Sequence, residues 1–342
     1  NFTNIHTDPS RFISQNPRFC HSALSTYSPD DFVSYVERHR IAYHEKKLGQ
    51  LFCDGSAQQI IDALLRDCAE AGVEIQCSCN VITVERDDVF TVSTSRGEFR
   101  GAALVIATGG RSIPKLGVSD LGYRLAQQFG LNVIPCEPGL VPCVLPRQDL
   151  INLADLSGIS FDASVSIGKT MFQEAVLITH RGLSGPAILQ ISSYWKQRES
   201  IRLDLFPDVD VQSKLMHVKD HNPKTLPKSF LSGHLSARLA SRLCERNGWT
   251  RPLGEMSNAD IRRMAEALKQ WSIPIADTEG YAKAEVTRGG VDTREMFPKT
   301  MEARNVPGLF LIGEVLDVTG WLGGYNFQWA WSSGVSAGRA IA

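Results

Sequence analysis

The chain has 342 residues, of which 43% are hydrophobic and 21% are charged, a balance typical of a folded protein with more than one domain. Its 36 basic and 37 acidic residues leave a net charge of −1. Proteins that bind polyanions usually carry a large basic excess, so this balance predicts that neither nucleic acid nor an anionic membrane surface is a partner.

The sequence shows no signal for membrane insertion, export or metal binding. No apolar stretch approaches the roughly 20 residues that span a bilayer, and the first residues lack the basic and apolar regions of a signal peptide. The eight cysteines include no C-x-x-C pair, and Cys77 and Cys79 have no second pair or nearby histidine to complete a metal site. We therefore expect reduced thiols, no metal and a cytoplasmic location.

The first part of the chain alternates predicted helices and strands. In chain order we predict a helix at Ala57–Ala71, a strand at Val73–Ile75, a hairpin of Val81–Glu85 with Val89–Thr94, a buried strand at Ala102–Ala107 and a helix at Asp120–Phe129.

The pattern changes after about residue 140 and returns near the end of the chain. We predict strands at Val141–Leu145, Ser164–Ile167 and Ala175–Thr179, a helix at Ser184–Trp195, a strand at Ile201–Leu205, mostly helix over 211–270, strands at Ala282–Thr287 and Leu309–Ile312, and a final helix at Asn326–Ala340. An α/β sheet interrupted by a mixed insertion explains this order better than a single sandwich does.

Two short strands end in small residues. Leu104–Ile106 leads into Ala107, Thr108, Gly109 and Gly110, which allow a ligand to approach the backbone at the carboxyl edge of a sheet. A tight turn without a ligand explains these glycines equally well. Leu309–Ile312 delivers Gly313 and Glu314, and this carboxylate can accept hydrogen bonds from sugar hydroxyls. A capping or salt-bridging role for Glu314 is the alternative.

A third segment, Gly320–Asn326, leads directly into the last predicted helix. The free N–H groups and the positive end of the helix dipole suit a phosphate or an electron-rich oxygen. A glycine-lined helix start without a ligand is the alternative, and the nearby Gly-Glu strand makes it the weaker one.

These motifs resemble one family over essentially the whole chain. Together they are similar to the YhiN/BaiN-type flavoproteins, which are NAD(P)/FAD-dependent or aminoacetone-oxidase-like oxidoreductases; the motifs are Asn1–Asn4, Thr108–Gly110, His180–Pro186, Val286–Val291, Thr300–Glu302 and Gly313–Asn326. The resemblance implies a glutathione-reductase-like, Rossmann-type α/β FAD-binding domain interrupted by an inserted β-barrel and a small helical subdomain. The implied boundaries are 1–140 and 289–342 for the FAD domain, 141–210 for the barrel, 211–272 for the helices, and 273–288 for the return strand of the barrel.

The resemblance also implies a role for individual residues. Gly313 and Glu314 would face the ribityl chain, and the backbone at Gly323, Gly324, Tyr325 and Asn326 would face the pyrimidine edge of the flavin. The pyrophosphate and adenosine would lie near Ala107, Thr108, Gly109 and Gly110, the adenine near Val81, and Asn1 and Asn4 would flank the pyrophosphate or the flavin.

In this family the first βαβ unit carries a G-x-G-x-x-G phosphate loop, which this sequence lacks. By family analogy we expect a unit on the order of 50 residues, about one βαβ and its exit loop, to be missing from the start. Since that unit supplies pyrophosphate contacts, we expect the 342 residues alone to bind FAD weakly or not at all.

The predicted activity is hydride transfer between FAD and a small organic substrate or NAD(P)H, with reductase and oxidase outcomes both open. A non-catalytic flavin- or nucleotide-binding protein and an FAD-assisted RNA-modifying enzyme are the alternatives. The sequence assigns no catalytic residue and no oligomeric state. His180 is an acid or anion-binding candidate or a structural histidine, and Ser184 is interpreted as a helix N-cap rather than a nucleophile.

Overall fold

A computed structural model of the protein describes the backbone of residues 1–342 and every side chain except those of Leu116 and Ala154. The chain forms two compact units. Unit 1 contains residues 1–137 and 286–342, and unit 2 contains residues 138–285.

The first stretch of unit 1 contains short strands and four helices. The elements are β1 (Thr3–Asn4), β2 (Phe12–Ile13), α1 (Cys20–Thr26), α2 (Pro29–Arg38), β3 (Tyr43–Glu45), β4 (Gln50–Cys53), α3 (Gln58–Glu70), β5 (Val81–Arg86), β6 (Phe90–Thr94), β7 (Gly97–Gly101), β8 (Leu104–Ile106), α4 (Leu121–Gln128) and β9 (Val133–Gly139), whose last residues enter unit 2. Helix α2 begins at a capping box in which Ser28 and Asp31 each bind the other's backbone N–H, so the sequence Ser-Pro-Asp-Asp itself determines that start.

Unit 2 combines one large sheet with six helices. Its elements are β10 (Cys143–Val144), α5 (Arg147–Leu153), β11 (Ser160–Ile167), β12 (Thr170–Ile178), β13 (Gly182–Ser184), α6 (Pro186–Ser192), β14 (Ser200–Asp204), α7 (Val211–His221), α8 (Pro227–Ser232), α9 (Ala237–Asn247), α10 (Asn258–Lys269), β15 (Trp271–Pro274) and β16 (Asp277–Thr278). The seven strands lie in the order β15-β14-β11-β12-β13-β10-β16, with antiparallel pairings between neighbours.

The chain then returns to unit 1 and completes it. The remaining elements are β17 (Val286–Val291), β18 (Leu309–Leu311), β19 (Thr319–Gly320) and α11 (Tyr325–Ile341). Strand β18 pairs in parallel with β8, in register from Leu309 opposite Leu104 to Leu311 opposite Ile106. The core around this pair is apolar, with Leu309, Leu311 and Ile106 all buried.

Helix α11 packs into unit 1 through small and aromatic residues. Ser332 and Ser333 are fully buried, and Ala337 is 2% exposed, so the helix can lie close to its neighbours. The Ser332 hydroxyl donates to the carbonyl of Tyr27 at 2.7 Å. The Trp331 indole N–H donates to the carbonyl of Phe2 at 2.9 Å, which ties the helix to the first strand.

Most predicted helices and strands are present, and three predictions are wrong. Val73–Ile75 is not a strand: Val73 and Ile75 are each 54% exposed and pair with no strand among the described residues. Ser184 is not a helix cap, because it lies in β13 and Gly185 precedes α6. The strand predicted at Ala282–Thr287 begins only at Val286, after a turn at residues 281–283. In each case local apolar or polar character was right, but pairing partners decided the boundary.

Candidate functional site

Two of the predicted segments meet at one edge of the β8–β18 pair. Parallel strands end at the same edge of a sheet, so the residues after Ile106 and those after Leu311 emerge side by side. The N–H of Ile312 donates to the carbonyl of Ile106 at 3.1 Å and continues the pairing to that edge. Ala107 and Gly313 therefore begin two neighbouring loops.

Glu314 contacts both Gly110 and Thr287. Its carboxylate accepts a 2.7 Å hydrogen bond from the backbone N–H of Thr287. A methyl group on Gly110 would collide with this carboxylate and with the Thr287 hydroxyl, so only glycine allows the loop to approach so closely. Residues 110, 287 and 314 thus form one compact cluster from three separate stretches of chain.

The Thr287 side chain fixes the loop after Gly110. Its hydroxyl accepts from the N–H of Arg111 at 2.7 Å and lies 3.1 Å from the hydroxyl of Ser112. The guanidinium of Arg111, an exposed residue, lies 5.4 Å above the ring of Tyr123. This stacking holds a cation beside the Gly109–Gly110 loop, where an anionic group of a ligand would benefit from it.

Burial raises the pKa of Glu314, and the hydrogen bonds from Thr287 partly oppose that shift. A carboxylate in this position is a strong hydrogen-bond acceptor with little competing water. It is chemically suited to bind hydroxyl groups, as the sequence predicts for a ribityl chain.

Two side chains of helix α11 form hydrogen bonds with the backbone of Gly313. The Ser333 hydroxyl accepts from the N–H of Gly313 at 3.0 Å, and the Trp329 indole N–H donates to its carbonyl at 2.9 Å. Gly313 has φ +70°, and a Cβ there would meet no heavy atom within 4 Å. The backbone is therefore rigid on one side and open on the other, which leaves room for a cofactor to pass.

The start of α11 is built against the first strand. The amide of Asn4 donates to the carbonyl of Gly323 at 2.8 Å, and the Thr3 hydroxyl donates to the side chain of Gln328 at 2.5 Å. Gly324 has φ +104°, and a Cβ there would strike the carbonyl of Thr3. Asn4 is thus placed beside the helix start, with its side chain occupied by these structural bonds.

The side chains of Asn326 and Tyr325 form contacts within the protein itself. The amide of Asn326 donates to the carbonyl of Gly320 at 2.9 Å and its oxygen accepts from the Gly320 N–H at 2.8 Å, so it closes the loop. Tyr325 is 5% exposed, and its ring packs edge-on at 6.2 Å from that of Phe12. The first-turn N–H groups have no partner within the helix and are the part of this segment suited to a ligand.

A short path of hydrogen bonds connects Glu314 with Asn326. Thr287 donates its N–H to Glu314, and its carbonyl accepts from the Thr319 hydroxyl at 3.2 Å. Thr319 precedes Gly320, which Asn326 binds on both backbone groups. The Gly-Glu segment and the helix start are therefore connected through Thr287 and Thr319.

Val81 and Asn1 are not joined to this cluster by hydrogen bonds among the described side chains. Val81 is 37% exposed and pairs with Thr94 in the three-stranded β5–β6–β7 sheet. Asn1 is exposed at the start of unit 1. Thr108 follows β8, and its hydroxyl packs against Gly122 of α4, where a Cβ would strike it.

The arrangement fits an extended dinucleotide such as FAD. Gly109 and Gly313 both have positive φ and open space where a side chain would stand, and the carboxylate of Glu314, which follows Gly313, lies close to Gly110. Amide donors at the start of α11 and a carboxylate acceptor at Glu314 are complementary to a pyrimidine edge and to hydroxyl groups, respectively.

Sequence reasoning assigned no role to the charged residues around Thr287. Asp317 is 4% exposed and accepts from the N–H of Gln15 at 2.8 Å, and burial raises its pKa. Arg288 forms an ion pair with Glu137, and burial lowers the pKa of this guanidinium while Asp317 opposes the change. Arg288 lies within Val286–Val291, so that motif was the available signal, but spacing alone gave no partner for it.

His180 lies in the turn between β12 and β13 of unit 2, and the neighbouring Arg181 forms an ion pair with Glu279 at 3.6 Å. Within the described part of the chain, no three His, Cys, Asp or Glu side chains are grouped to hold a metal ion. None of the described helices is both long and apolar enough to cross a membrane.

Comparisons with known proteins identify several relatives. The chain is 47% identical to "Ribosomal RNA dihydrouridine synthase" of Escherichia coli strain K12, over 97% of this chain and 84% of that protein. It is 42% identical to a protein of the same name from Haemophilus influenzae, over 100% of this chain and 87% of that protein. It is also 29% identical to "3-dehydro-bile acid delta(4,6)-reductase" of Clostridium scindens, over 100% of this chain and 87% of that protein.

A solved structure also matches, although weakly. The FrdA chain of E. coli quinol fumarate reductase matches 95% of this chain with a TM-score of 0.43 and 15% identity. The match covers 56% of the length of FrdA. A likeness of this size assigns no function.

The prediction that excluded nucleic acid as a partner is wrong. Two relatives above 40% identity are named for a ribosomal RNA substrate, although the present chain has a net charge of −1. Net charge is a sum over the whole molecule, whereas a nucleic acid meets only one surface of it.

The family is shown directly by a model of the "HI0933-like protein Rossmann domain", which matches residues 1–340. This match confirms the predicted flavoprotein resemblance and the Rossmann-type α/β fold. The protein therefore belongs to the HI0933-like Rossmann family of flavoprotein oxidoreductases, and it is an enzyme.

Proposed function

We propose that the protein is an FAD-dependent reductase that converts uridine in ribosomal RNA to dihydrouridine. The observation that carries this proposal is the 47% and 42% identity, over at least 97% of the chain, to two proteins named for that reaction. The alternative of an RNA-modifying enzyme thus replaces the small-molecule oxidoreductase as the main interpretation. Since ribosomal RNA is the substrate, a cytoplasmic location belongs to the same proposal.

The chemistry follows from the uracil ring. Its C5–C6 double bond is conjugated with the C4 carbonyl, so a hydride adds at C6 and a proton at C5. The balanced reaction consumes one NAD(P)H and one proton for each uridine. FAD, when bound, would supply the hydride-transfer chemistry, which is the general role of a flavin in such reductases.

Residues of unit 1 have defined parts in this proposal. Glu314 accepts hydrogen bonds from the ribityl hydroxyls, and the open backbone at Gly313 allows the cofactor to approach. Amides at the start of α11, from Gly324 to Asn326, would donate to the pyrimidine edge of the flavin, where reduction places negative charge.

The loop from Ala107 to Gly110 supports the pyrophosphate and adenosine, with Arg111 beside it as a cation. The Gly323 carbonyl is held by Asn4, which positions the helix start. The roles of Asn1 at the pyrophosphate or flavin and of Val81 at the adenine stay predictions, as does weak FAD binding by the 342 residues alone.

The test is a nucleoside analysis. Ribosomal RNA from cells that lack the modification is incubated with the protein, FAD and NADPH, digested, and examined by mass spectrometry for a uridine that has gained two hydrogen atoms. Omission of NADPH is the control. Absence of dihydrouridine under conditions in which FAD is bound and reduced would refute the proposal.

A second candidate is reduction of a small conjugated ketone, favoured by the 29% identity to a bile acid reductase. The bond reduced in that protein's named substrate class is likewise a carbon–carbon double bond conjugated with a carbonyl group. Steady-state NADPH oxidation with a conjugated steroid ketone, compared with ribosomal RNA, separates the two. A protein that binds flavin but turns over neither substrate would instead support the non-catalytic alternative.

A further inference from the structure

The charge of this protein is divided unevenly along the chain. The helical stretch 211–270 has eleven Lys and Arg against five Asp and Glu, a net charge of +6. The rest of the chain has 25 basic and 32 acidic residues, a net charge of −7, and the two add to the overall −1. The protein therefore contains a strongly basic region although its overall net charge is nearly zero.

Two loops of this stretch are joined into one surface. The N–H of Leu253 donates to the carbonyl of Thr225 at 2.8 Å, and the N–H of Gly254 donates to the carbonyl of Pro223 at 2.8 Å. These bonds place the loop before α8 beside the loop between α9 and α10. Lys224 and Arg251, which are 27 positions apart in sequence, thereby lie on neighbouring loops.

The cations on this surface are available to a partner. Lys224, Lys228 and Arg251 are exposed, and none of them forms an ion pair with any side chain that the structure describes. Three other basic residues of the stretch already form ion pairs, namely Arg242, Arg263 and Lys269. Unpaired exposed cations gain the most from phosphate groups, since they lose no existing partner.

An aromatic ring lies beside Arg251. Trp249 is half-buried, and its backbone N–H donates to the carbonyl of Cys244 at 2.9 Å, which fixes the loop that carries it. It lines a cavity of about 180 Å³ together with Arg251 and the ion pair of Arg263 with Asp260. A positively charged surface with an aromatic platform is the combination that binds unpaired nucleotides, whose bases stack while their phosphates meet the cations.

We propose that this surface, consisting of Lys224, Lys228, Trp249 and Arg251, binds the RNA substrate. This inference rests on the proposed function and adds to it the place where the chain holds RNA. The three cations bind backbone phosphates, and Trp249 stacks on the base of an unpaired nucleotide. Membrane or acidic-protein binding would use the cations but would not require the ring.

The first test is charge reversal. The variant Lys224→Glu/Lys228→Glu/Arg251→Glu is compared with the wild type for binding to a fluorescein-labelled RNA hairpin with an unpaired loop, by anisotropy over a range of salt concentrations. We expect at least a tenfold weaker affinity and a salt slope smaller by about 2, since each single-strand phosphate contact contributes roughly 0.7.

The control variant is Lys169→Glu/Lys196→Glu/Arg202→Glu, which has the same change in charge at exposed residues outside the helical stretch. It should keep wild-type affinity to within about twofold, because salt screens the effect of exposed charges that do not contact the RNA. Equal weakening in both triple variants would overturn the proposal, because binding would then follow total charge.

The second test concerns the ring. Trp249→Ala should weaken RNA binding by about 5- to 100-fold, whereas Trp249→Phe should retain most of it, because a phenyl ring still stacks. Circular dichroism verifies that both variants fold. Unchanged affinity in Trp249→Ala would overturn the stacking role and leave only a general polyanion surface.

The two proposals fail in different ways. If the wild type forms dihydrouridine but charge reversal leaves RNA affinity unchanged, only the location of the RNA surface is wrong. If the wild type binds the hairpin through this surface yet forms no dihydrouridine, the proposed reaction is wrong and the surface remains.

Discussion

The start of α11 offers a matched pair of substitutions that tests how the candidate site is assembled. Gly323 and Gly324 have φ values of +110° and +104°, so alanine at either position carries backbone strain of about 1–3 kcal/mol. The two differ in what the added methyl group meets. At Gly323 it meets the side chain of Gln50, with the amide nitrogen at 2.7 Å, and this side chain can rotate. At Gly324 it meets the backbone of Thr3 and the nitrogen of Asn4 at 3.0 Å.

The backbone of Thr3 and Asn4, which a methyl group on Gly324 would meet, is held in place by hydrogen bonds. Strand β1 is paired with β4, where Thr3 lies opposite Leu51, and Asn4 is hydrogen-bonded to Gly323. Overpacking against such a fixed neighbour adds about 1–3 kcal/mol. We therefore expect Gly324→Ala to cost about 2–6 kcal/mol of unfolding free energy, compared with about 1–3 kcal/mol for Gly323→Ala. Against a typical total of about 5–15 kcal/mol, the first is a large loss.

The assay is hydrogen exchange followed by mass spectrometry, which reports the opening free energy of amides in unit 1 separately from those in unit 2. Peptides from α11 and β1 should lose protection much more in Gly324→Ala than in Gly323→Ala, and peptides of unit 2 should be unchanged. Equal losses in both variants would refute the close approach of the first strand to the helix start, and with it the shared site.

Three further substitutions in the same unit give testable predictions. Glu314→Gln should weaken FAD binding by about 10- to 100-fold, the value of a charged hydrogen bond, in a flavin fluorescence titration. Burial raises the pKa of Glu314, so its contribution to stability is complete below the unfolded pKa and is lost as the pH rises through the folded pKa. Urea unfolding should accordingly show Glu314→Gln to be more stable than the wild type at pH values above the folded pKa of Glu314. If the stability of the wild type does not fall as the pH rises through that pKa, the burial argument is contradicted. Asn326→Asp keeps the acceptor for the N–H of Gly320 but turns a carboxylate toward the carbonyl of Gly320. It should lower the free energy of unfolding, measured in urea, by about 1–3 kcal/mol. A neutral effect would mean that the Asn326 amide does not close this loop. Gly334→Ala, with the nearest atom 3.8 Å away, should stabilise the helix by about 0.5–1 kcal/mol in thermal unfolding, and a loss would show that the helix packs more closely there.

The sequence by itself determined the elements whose signals are local. The helix predicted at Ala57–Ala71 is α3, the hairpin is β5 with β6, and the final helix is α11, because spacing of apolar residues and glycine positions act over a few residues. The order of Gly313, Glu314 and the glycine-rich helix start was also sufficient to suggest the family, which the match over residues 1–340 confirms.

Only the tertiary structure decided which residues meet. Arg111 and Thr287 are 176 positions apart and Glu314 is 27 positions beyond Thr287, yet their hydrogen bonds form one cluster. The strand predicted at Val73–Ile75 failed for the same reason, since strand formation requires a neighbour that local sequence does not specify. Charge followed this rule as well: the total of −1 predicted no nucleic acid, but folding brings Lys224 and Arg251 onto adjacent loops. Hydrogen bonds and electrostatic forces act through space, so their partners are set by the path of the folded chain rather than by position along it.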